Sequence, residues 1–270
     1  MHLDPQTRSI AIHRLDGSKI ESASDLVAAE EPLEIQVEGQ NFAVLMRTPG
    51  HDRELVAGFL VTEGLIEKPQ DILGIAGNET LSVRLWNAQA FDLAKRARNL
   101  FSSSSCGLCS KSSLDAVQTK FPRLVDDFRI APQILHRLPD TLAAAQTAFK
   151  QTGGLHACAL FDASGQLLVL REDIGRHNAL DKVIGWALWK DRLPLERTIV
   201  LLSGRASLEM MQKALAARIP IVAAISAPSS LAVDFARDTG QTLVGFLRGR
   251  RMNIYSGMER LQPCGTVGRS

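Results

Sequence analysis

From Thr141 onward, short apolar runs alternate with segments of helical period, and this alternation restricts the fold more than any other feature of the chain. Residues 156–161 and 166–170 read as two strands joined across Asp162-Ala163-Ser164-Gly165. Helices are expected over 178–190, 206–217 and 230–238. Between and after them lie apolar runs at 198–202, 221–225 and 242–247, too short for helices and flanked by breakers. A hairpin followed by helix–strand alternation needs crossover connections. It predicts an α/β fold, a three-layer sandwich around a mixed sheet with much parallel pairing. A further helix over 142–150 is expected to stop at Gly153-Gly154.

The earlier chain is organised differently. Leu33, Ile35 and Val37 alternate, Glu38-Gly39-Gln40 turns, and Phe42, Val44 and Met46 continue the alternation, a hairpin pattern. Thr48-Pro49-Gly50-His51-Asp52 breaks it, with Asp52 placed to cap a helix carrying Leu55, Phe59 and Leu60. Leu81, Val83 and Leu85 form another strand pattern, and residues 7–12 a further one. Three units follow: a smaller N-terminal α/β subdomain over 1–95, a mobile loop region over 96–140, and a core domain over 141–270. Within the loop region a short helix is expected over 113–120. Pro122, Pro132 and Pro139 punctuate the residues beyond it, and the tail after Tyr255 reads as loose.

Composition removes several function classes. The chain has 270 residues and a net charge of +2, a balance that does not call for nucleic acid. No apolar run approaches the roughly 18 residues of a membrane span. The first residues hold no apolar signal core, and four cysteines make no disulfide framework. A cytoplasmic, reducing setting is expected, in which paired thiols are metal-binding or catalytic rather than structural.

The paired thiols are Cys106-Gly107-Leu108-Cys109, set between Ser102-Ser103-Ser104-Ser105 and Ser110-Lys111-Ser112-Ser113. Such a pair can share a proton, form a disulfide, pass sulfur or hold one side of a metal. Zinc wants four ligands, and the remaining cysteines are unconvincing: Cys158 lies in an apolar strand and Cys264 in a Pro/Gly-rich tail. No metal is expected to be permanently bound. A zinc deaminase needs Glu two residues after a ligand His and a Pro-Cys-x-x-Cys. None of the six histidines has such a Glu, and Ser105 precedes Cys106. Lys95, Arg96 and Arg98 precede the pair and would favour thiolate.

Four further motifs share one grammar, a strand end followed by a small or basic turn. Arg171-Glu172-Asp173-Ile174-Gly175-Arg176-His177-Asn178 precedes a helix and reads either as a phosphate-binding N-terminus or as a turn with exposed charges. Leu202-Ser203-Gly204-Arg205-Ala206-Ser207 and Ser226-Ala227-Pro228-Ser229-Ser230 repeat the pattern. Phe246-Leu247-Arg248-Gly249-Arg250-Arg251 ends the last expected strand and suits a stacked base with phosphates beside it, or a basic solvated turn. In a parallel sheet these turns share one edge, where ligands of open α/β folds bind.

These motifs, with Thr152-Gly153-Gly154-Leu155-His156 and Gly245-Phe246-Leu247-Arg248-Gly249, closely resemble the formate dehydrogenase accessory sulfurtransferases, the FdhD family. The resemblance runs in family order from residue 105 to the last strand; the N-terminal third is compatible but less distinctive. It implies a cytidine-deaminase-like core and a homodimer. It implies that sulfur is taken as persulfide from a cysteine desulfurase. The sulfur then goes to the molybdenum cofactor, as the bis-guanine-dinucleotide form, before insertion into the formate dehydrogenase catalytic subunit. On this resemblance Cys106 carries the persulfide, Cys109 is its partner, and Phe246, Leu247, Arg248, Gly249, Arg250 and Arg251 bind the guanine-nucleotide portion. Arg176, His177 and Arg205 are further candidates at the same edge. Two other readings use the same residues: a non-catalytic cofactor-binding chaperone with a redox or zinc-binding CxxC, and a zinc-stabilised interaction module.

Overall fold

The computed structural model describes residues 4–87 and 121–261. Cys106, Cys109, Cys264 and the helix expected over 113–120 lie outside the described residues. The described chain is mixed α/β, with three sheets and six α-helices.

The central sheet has six strands: β7 (His156–Asp162), β8 (Leu167–Asp173), β9 (Thr198–Leu202), β10 (Ile221–Ala224), β11 (Thr242–Arg248) and β12 (Arg251–Ser256). Their order is β12-β11-β10-β9-β7-β8. The trio β9, β10 and β11 is parallel, while β7 runs antiparallel to both β8 and β9 and β12 antiparallel to β11. The expected hairpin and alternation are both present.

Alternate residues of these strands face two apolar clusters, as strand geometry requires. Cys158, Leu160, Val200, Leu202 and Val222 meet the helices α4 (Arg176–Trp189), α5 (Leu208–Ala216) and α6 (Ser230–Thr239). Ala159, Phe161, Ile199, Leu201 and Ile221 meet Leu135, Leu138 and Leu142 of α2 (Pro132–Ala145) on the other face. The result is helix, sheet, helix.

A second sheet holds β3 (Glu31–Val37), β4 (Gln40–Arg47), β5 (Ile72–Ala76) and β6 (Thr80–Leu85) in the order β4-β3-β6-β5. Its inner residues, among them Leu33, Ile35 and Val83, pack on α1 (Asp52–Thr62). They belong to the same apolar cluster as the helical layer of the central sheet. Helix α4 is therefore covered on both sides, and Ala179, Leu180, Val183, Ile184, Ala187 and Leu188 are all fully buried. The contact between α1 and α4 depends on two glycines. A Cβ at Gly58 would collide with the Asp181 carbonyl oxygen, and one at Gly185 with the Glu54 carbonyl oxygen. The backbones meet because neither residue has a side chain.

The strand expected over residues 7–12 is present and longer, and several other expected details are corrected. Residues 7–12 belong to a long two-stranded ribbon, β1 (Thr7–Asp16) with β2 (Lys19–Ala28), whose faces are largely exposed. In β4 the alternation breaks: Phe42 is buried, but Val44 and Met46 point outward. The register jumps from Gln36↔Asn41 to Ile35↔Ala43, so Phe42 is the extra residue of a bulge and the later parity inverts. Asp52 is the first residue of α1, not its cap; His51 holds the cap position in the left-handed region at φ 59. Asp52 Oδ2 instead accepts from Arg47 Nη2 at 3.0 Å.

Helix α2 begins at Pro132, carries Pro139 within it and spans the boundary expected near 140. Proline is well tolerated at the first turn, where no amide donor is needed. A second helix, α3 (Thr147–Thr152), follows and ends at Gly153 with φ 67, as the paired glycines predict. The tail after Tyr255 is ordered through Leu261. Arg260 is buried, its guanidinium bonds Asp126 at 2.7 and 3.1 Å, and Leu261 bridges to Ile130.

The glycine crossing predicts that Gly58→Ala destabilises the fold by about 1–3 kcal/mol, because overpacking against backbone outweighs the gain in helix propensity. Urea denaturation measures it; a variant within about 0.5 kcal/mol of the parent would refute the close-packing account.

Candidate functional site

Because β9, β10 and β11 are parallel, their carboxyl ends share one edge. Strand β7 runs the opposite way, so its first residues reach the same edge. Glycine 153 through His156, Ser203, Ile225 and Leu247 through Gly249 all line one cavity there, of about 710 Å³. The opposite wall comes from α2 and α3, through Pro139, Asp140, Leu142, Ala143, Gln146 and Phe149. A crevice outside the carboxyl ends of parallel strands is where such sheets bind ligands.

The turns are held by main-chain pairing. The Phe246 amide donates to the Ser226 carbonyl at 3.0 Å, and the Ala206 amide to the Ala227 carbonyl at 3.2 Å. Ser203 Oγ accepts from the Ala157 amide at 2.8 Å, so this hydroxyl fixes the start of β7. Ser229 caps α6, its side chain accepting from the Ala232 amide at 3.3 Å. Gly204 leaves room for a ring, since a Cβ there would lie 3.2 Å from His156 Nδ1.

The basic segment after β11 is a hairpin tip rather than a strand end, because β12 begins at Arg251. Leu247, Arg248 and Gly249 line the cavity; Phe246, Arg250 and Arg251 are outside its lining. Phe246 has φ 52, a left-handed conformation rare for a bulky residue, and sits where the β11–β12 register shifts. The bulge turns its ring to a 40 % exposed position.

The segment from Glu172 to Asn178 is neither of the two forms expected, an open phosphate turn or an exposed charged turn. The Glu172 carboxylate accepts from the amides of Thr147, Ala148 and Phe149 at 2.8–3.0 Å, which fastens α3 to the sheet edge. Asp173 Oδ2 lies 2.7 Å from Lys182 Nζ, and both side chains are fully buried. Asp173 also accepts from the amides of Thr48 and Gly175 and from Asn178 Nδ2. These acids are structural. Arg176 and His177 open α4 beside the cavity residue His156. His177 Nε2 lies 2.7 Å from Glu209 Oε2, and this bond holds the Glu209 carboxyl below its usual range against the opposing effect of burial. Arg205 is exposed.

His156 is held below its ordinary value, first by burial and then by the charges of Arg176 and His177, so it stays neutral at pH 7. Among the described residues the cationic group in the cavity lining is therefore Arg248. Cys158 is a fully buried free thiol that burial and Asp181 push well up, leaving it inert as a nucleophile. Among the described residues no three His, Cys, Asp or Glu side chains gather to hold a metal, and no helix is long and apolar enough to cross a membrane.

Residues 28–262 match the FdhD/NarQ family model. The chain belongs to this family. It is 48 % identical to the sulfur carrier protein FdhD of Streptomyces avermitilis over 262 residues, covering 92 % of this chain and 93 % of the relative. The sulfur carrier protein FdhD of Sulfolobus acidocaldarius is 42 % identical, with 95 % and 99 % covered. A crystal structure assigned as a formate dehydrogenase accessory protein, from Desulfotalea psychrophila, superposes with a TM-score of 0.77 at 26 % identity, covering 96 % of this chain and 100 % of that one. Membership of FdhD/NarQ agrees with the resemblance read from the motifs.

Asp140, Gln146 and Phe149 are cavity residues that motif reading missed. Asp140 lies in the part of α2 hidden by its prolines, whereas Gln146 and Phe149 lie within the expected helix over 142–150 and carried no motif to mark them. The electrostatics of the edge predict that His156 titrates below 6.5 and that Arg176→Gln moves its midpoint upward. Histidine-detected NMR titration checks this; a parent midpoint at or above 6.5 would contradict it.

Proposed function

We propose that this protein is a sulfurtransferase acting as a persulfide carrier, moving sulfur from a cysteine desulfurase to the molybdenum cofactor, in its bis-guanine-dinucleotide form, on behalf of formate dehydrogenase. Family membership carries the reading: relatives that align over nearly the whole chain are sulfur carrier proteins. The second support is the convergence of Gly153-Gly154, Ser203, Ile225 and Arg248-Gly249 on one cavity large enough for a nucleotide.

The chemistry follows from thiolate exchange. Cys106 thiolate attacks the outer sulfur of the donor persulfide; the donor's cysteine leaves as thiolate and Cys106 becomes the persulfide. Cys109 thiolate then attacks Cys106 Sγ. The sulfur–sulfur bond breaks, a Cys106–Cys109 disulfide forms, and the outer sulfur departs as hydrosulfide to the acceptor. A dithiol reductant of the cytoplasm reopens the disulfide. The acceptor is cargo, held by its nucleotide portion. Arg248 supplies charge to its phosphates, and the amides around Gly153, Gly154 and Gly249 can approach them without side-chain hindrance. Phe246, Arg250 and Arg251 extend the same hairpin tip. The reading includes a homodimer and a deaminase-like core, for which the strand order β8-β7-β9-β10-β11 with β7 reversed is the supporting feature. Scaffold and chemistry are separable here, since the chain lacks the deaminase His-x-Glu.

Two outcomes are expected. Incubated with a desulfurase and cysteine, the protein gains one reductant-labile sulfur by intact mass, and Cys106→Ala does not; full labelling of that variant would refute the carrier role of Cys106. Replacing Arg248 and Arg250 with Ala weakens GDP binding by at least about tenfold, since each charge-assisted bond lost is worth about 1.5–3 kcal/mol. An unchanged dissociation constant by calorimetry would remove the hairpin tip from the site.

A further inference from the structure

The β1–β2 ribbon is the element that the rest of the fold supports least. Each strand has ten residues, and the main packing of the pair against the body is that of β2 on α3. A two-stranded ribbon is marginally stable at best in water unless something covers it. This one leaves Leu15 66 %, Ile20 69 % and Leu26 40 % exposed. Side chains directly opposed across an antiparallel pair share a face, so the register sorts the ribbon into two faces.

One face carries the charges. Arg14 stands opposite Glu21 and Asp16 opposite Lys19, with Arg8 and Asp25 nearer the base. The other face runs from Thr7–Ala28 at the base, through Ala11–Ser24 at its middle, to Leu15–Ile20 at the tip, and has no Asp, Glu, Lys or Arg. Its bulk is distributed unevenly about the middle pair. The large residues of the tip are balanced by small ones at the base, and Leu26 on one side of the middle by Ser22 on the other.

This distribution is self-complementary. A second ribbon turned over about a two-fold axis through Ala11–Ser24 runs antiparallel across the interface. Leu15 then faces the partner's Thr7, Ile20 the partner's Ala28, Leu26 the partner's Ser22 and His13 the partner's Ser9. Every large side chain meets a small one, the condition for interdigitation. At the axis Ala11 and Ser24 meet their own copies, where small residues let the ribbons close to about 10 Å. An axis along the strands would instead set Leu15 on the partner's Ile20 and Ala11 on the partner's Ser24, large on large and gap on gap. The charged face fails the antiparallel arrangement, because Asp25 would meet the partner's Glu21.

The base of the uncharged face adjoins the cavity. A Cβ at Gly154, in the cavity lining, would lie 3.5 Å from Ala28 Cβ. We propose that the uncharged face of the ribbon is covered by the same face of a second copy of this chain, antiparallel and centred on Ala11 and Ser24, which brings the partner's hairpin tip to the cavity rim beside Gly154. The face is about 34 Å long and two strands wide, smaller than the ~800 Å² a side of a standard interface, so the association is reversible and not permanent. The inference gives a surface to the homodimer of the proposed function and takes nothing from the sulfur chemistry.

Sedimentation equilibrium of the full-length protein is the test, with circular dichroism to confirm that each variant keeps its fold. The parent should show a monomer–dimer equilibrium with a Kd on the order of 10 μM. Ala11→Arg sets like charges against each other at the axis and should weaken association by at least about 100-fold. Ile10→Arg, on the charged face, should leave it within about threefold. Leu15→Glu should weaken it by about tenfold, and adding Thr7→Lys should recover it. The two positions lie about 27 Å apart along one strand, so recovery comes only from the other copy. A dimer that Ala11→Arg leaves intact would overturn the ribbon surface and leave the homodimer reading standing. A double variant without recovery would overturn the antiparallel register. A parent still monomeric at about ten times that Kd would overturn surface and homodimer together. Sulfur loading of Cys106 reads the carrier step separately in each case.

Discussion

The buried ion pair between Asp173 and Lys182, 2.7 Å apart and wholly shielded from solvent, is the interaction on which the functional edge depends. It joins the last residue of β8 to the second turn of α4. Lys182 also donates to the Thr48 carbonyl at 2.8 Å, and Asn178 to the Met46 carbonyl at 2.8 Å. The loop after β4 is thereby tied to the central sheet. Burial alone pulls the Lys182 ammonium down, and Asp173 works against that pull. Such a pair adds little net stability, because desolvation offsets most of the attraction. Its value is geometric: with every acceptor of Asp173 engaged, the start of α4 has one position, and Arg176 and His177 are carried to the cavity edge with it.

A second buried pair repeats the device at the neighbouring residue. Asp181 accepts from Lys213 at 2.7 and 2.9 Å and from Thr62, linking α4 to α5 and α1. Burial raises the Asp181 carboxyl despite Lys213. The two pairs flank the glycine crossing of α1 on α4, where Gly58 meets the Asp181 carbonyl. Backbone approach and side-chain charge thus act on the same few residues. This is why α4 tolerates Asp and Lys in its interior although it is enclosed on both sides.

Much of this architecture was legible in the sequence. The hairpin of β7 and β8 and the strands β9, β10 and β11 were clear because each buries apolar side chains on both faces or on a strict alternation. What stayed hidden lacked that signal. Of the β1–β2 ribbon only residues 7–12 were read, because its faces bury little and the rest shows no pattern. The inversion in β4 needed the bulge at Phe42, which is a property of pairing and not of one strand. Helix α2 was obscured because proline punctuates loops far more often than it opens a helix and recurs inside it. That misreading hid the first half of the helical wall, with Pro139 and Asp140, while the helix expected over 142–150 already held the rest. The strand-end motifs survived it, since parallel topology gathers them on one edge whatever their individual roles. Even so, Glu172, Asp173, Ser203 and Ser229 proved to hold the edge together; only the structure separates those supports from the groups left free to meet a ligand.

The groups left free suit a carrier. A protein that must release its cargo gains nothing from a deep cluster of charge, which would bind phosphate strongly and without discrimination. Among the described residues the cavity lining pairs one arginine with glycine backbone and keeps His156 neutral, an arrangement that recognises shape more than charge density. The opposite wall brings a carboxylate, an amide and an aromatic ring from Asp140, Gln146 and Phe149. Modest charge at the sheet edge suits capture without tight retention. The two walls arise from different layers, one from the sheet edge and the other from helices packed on its face.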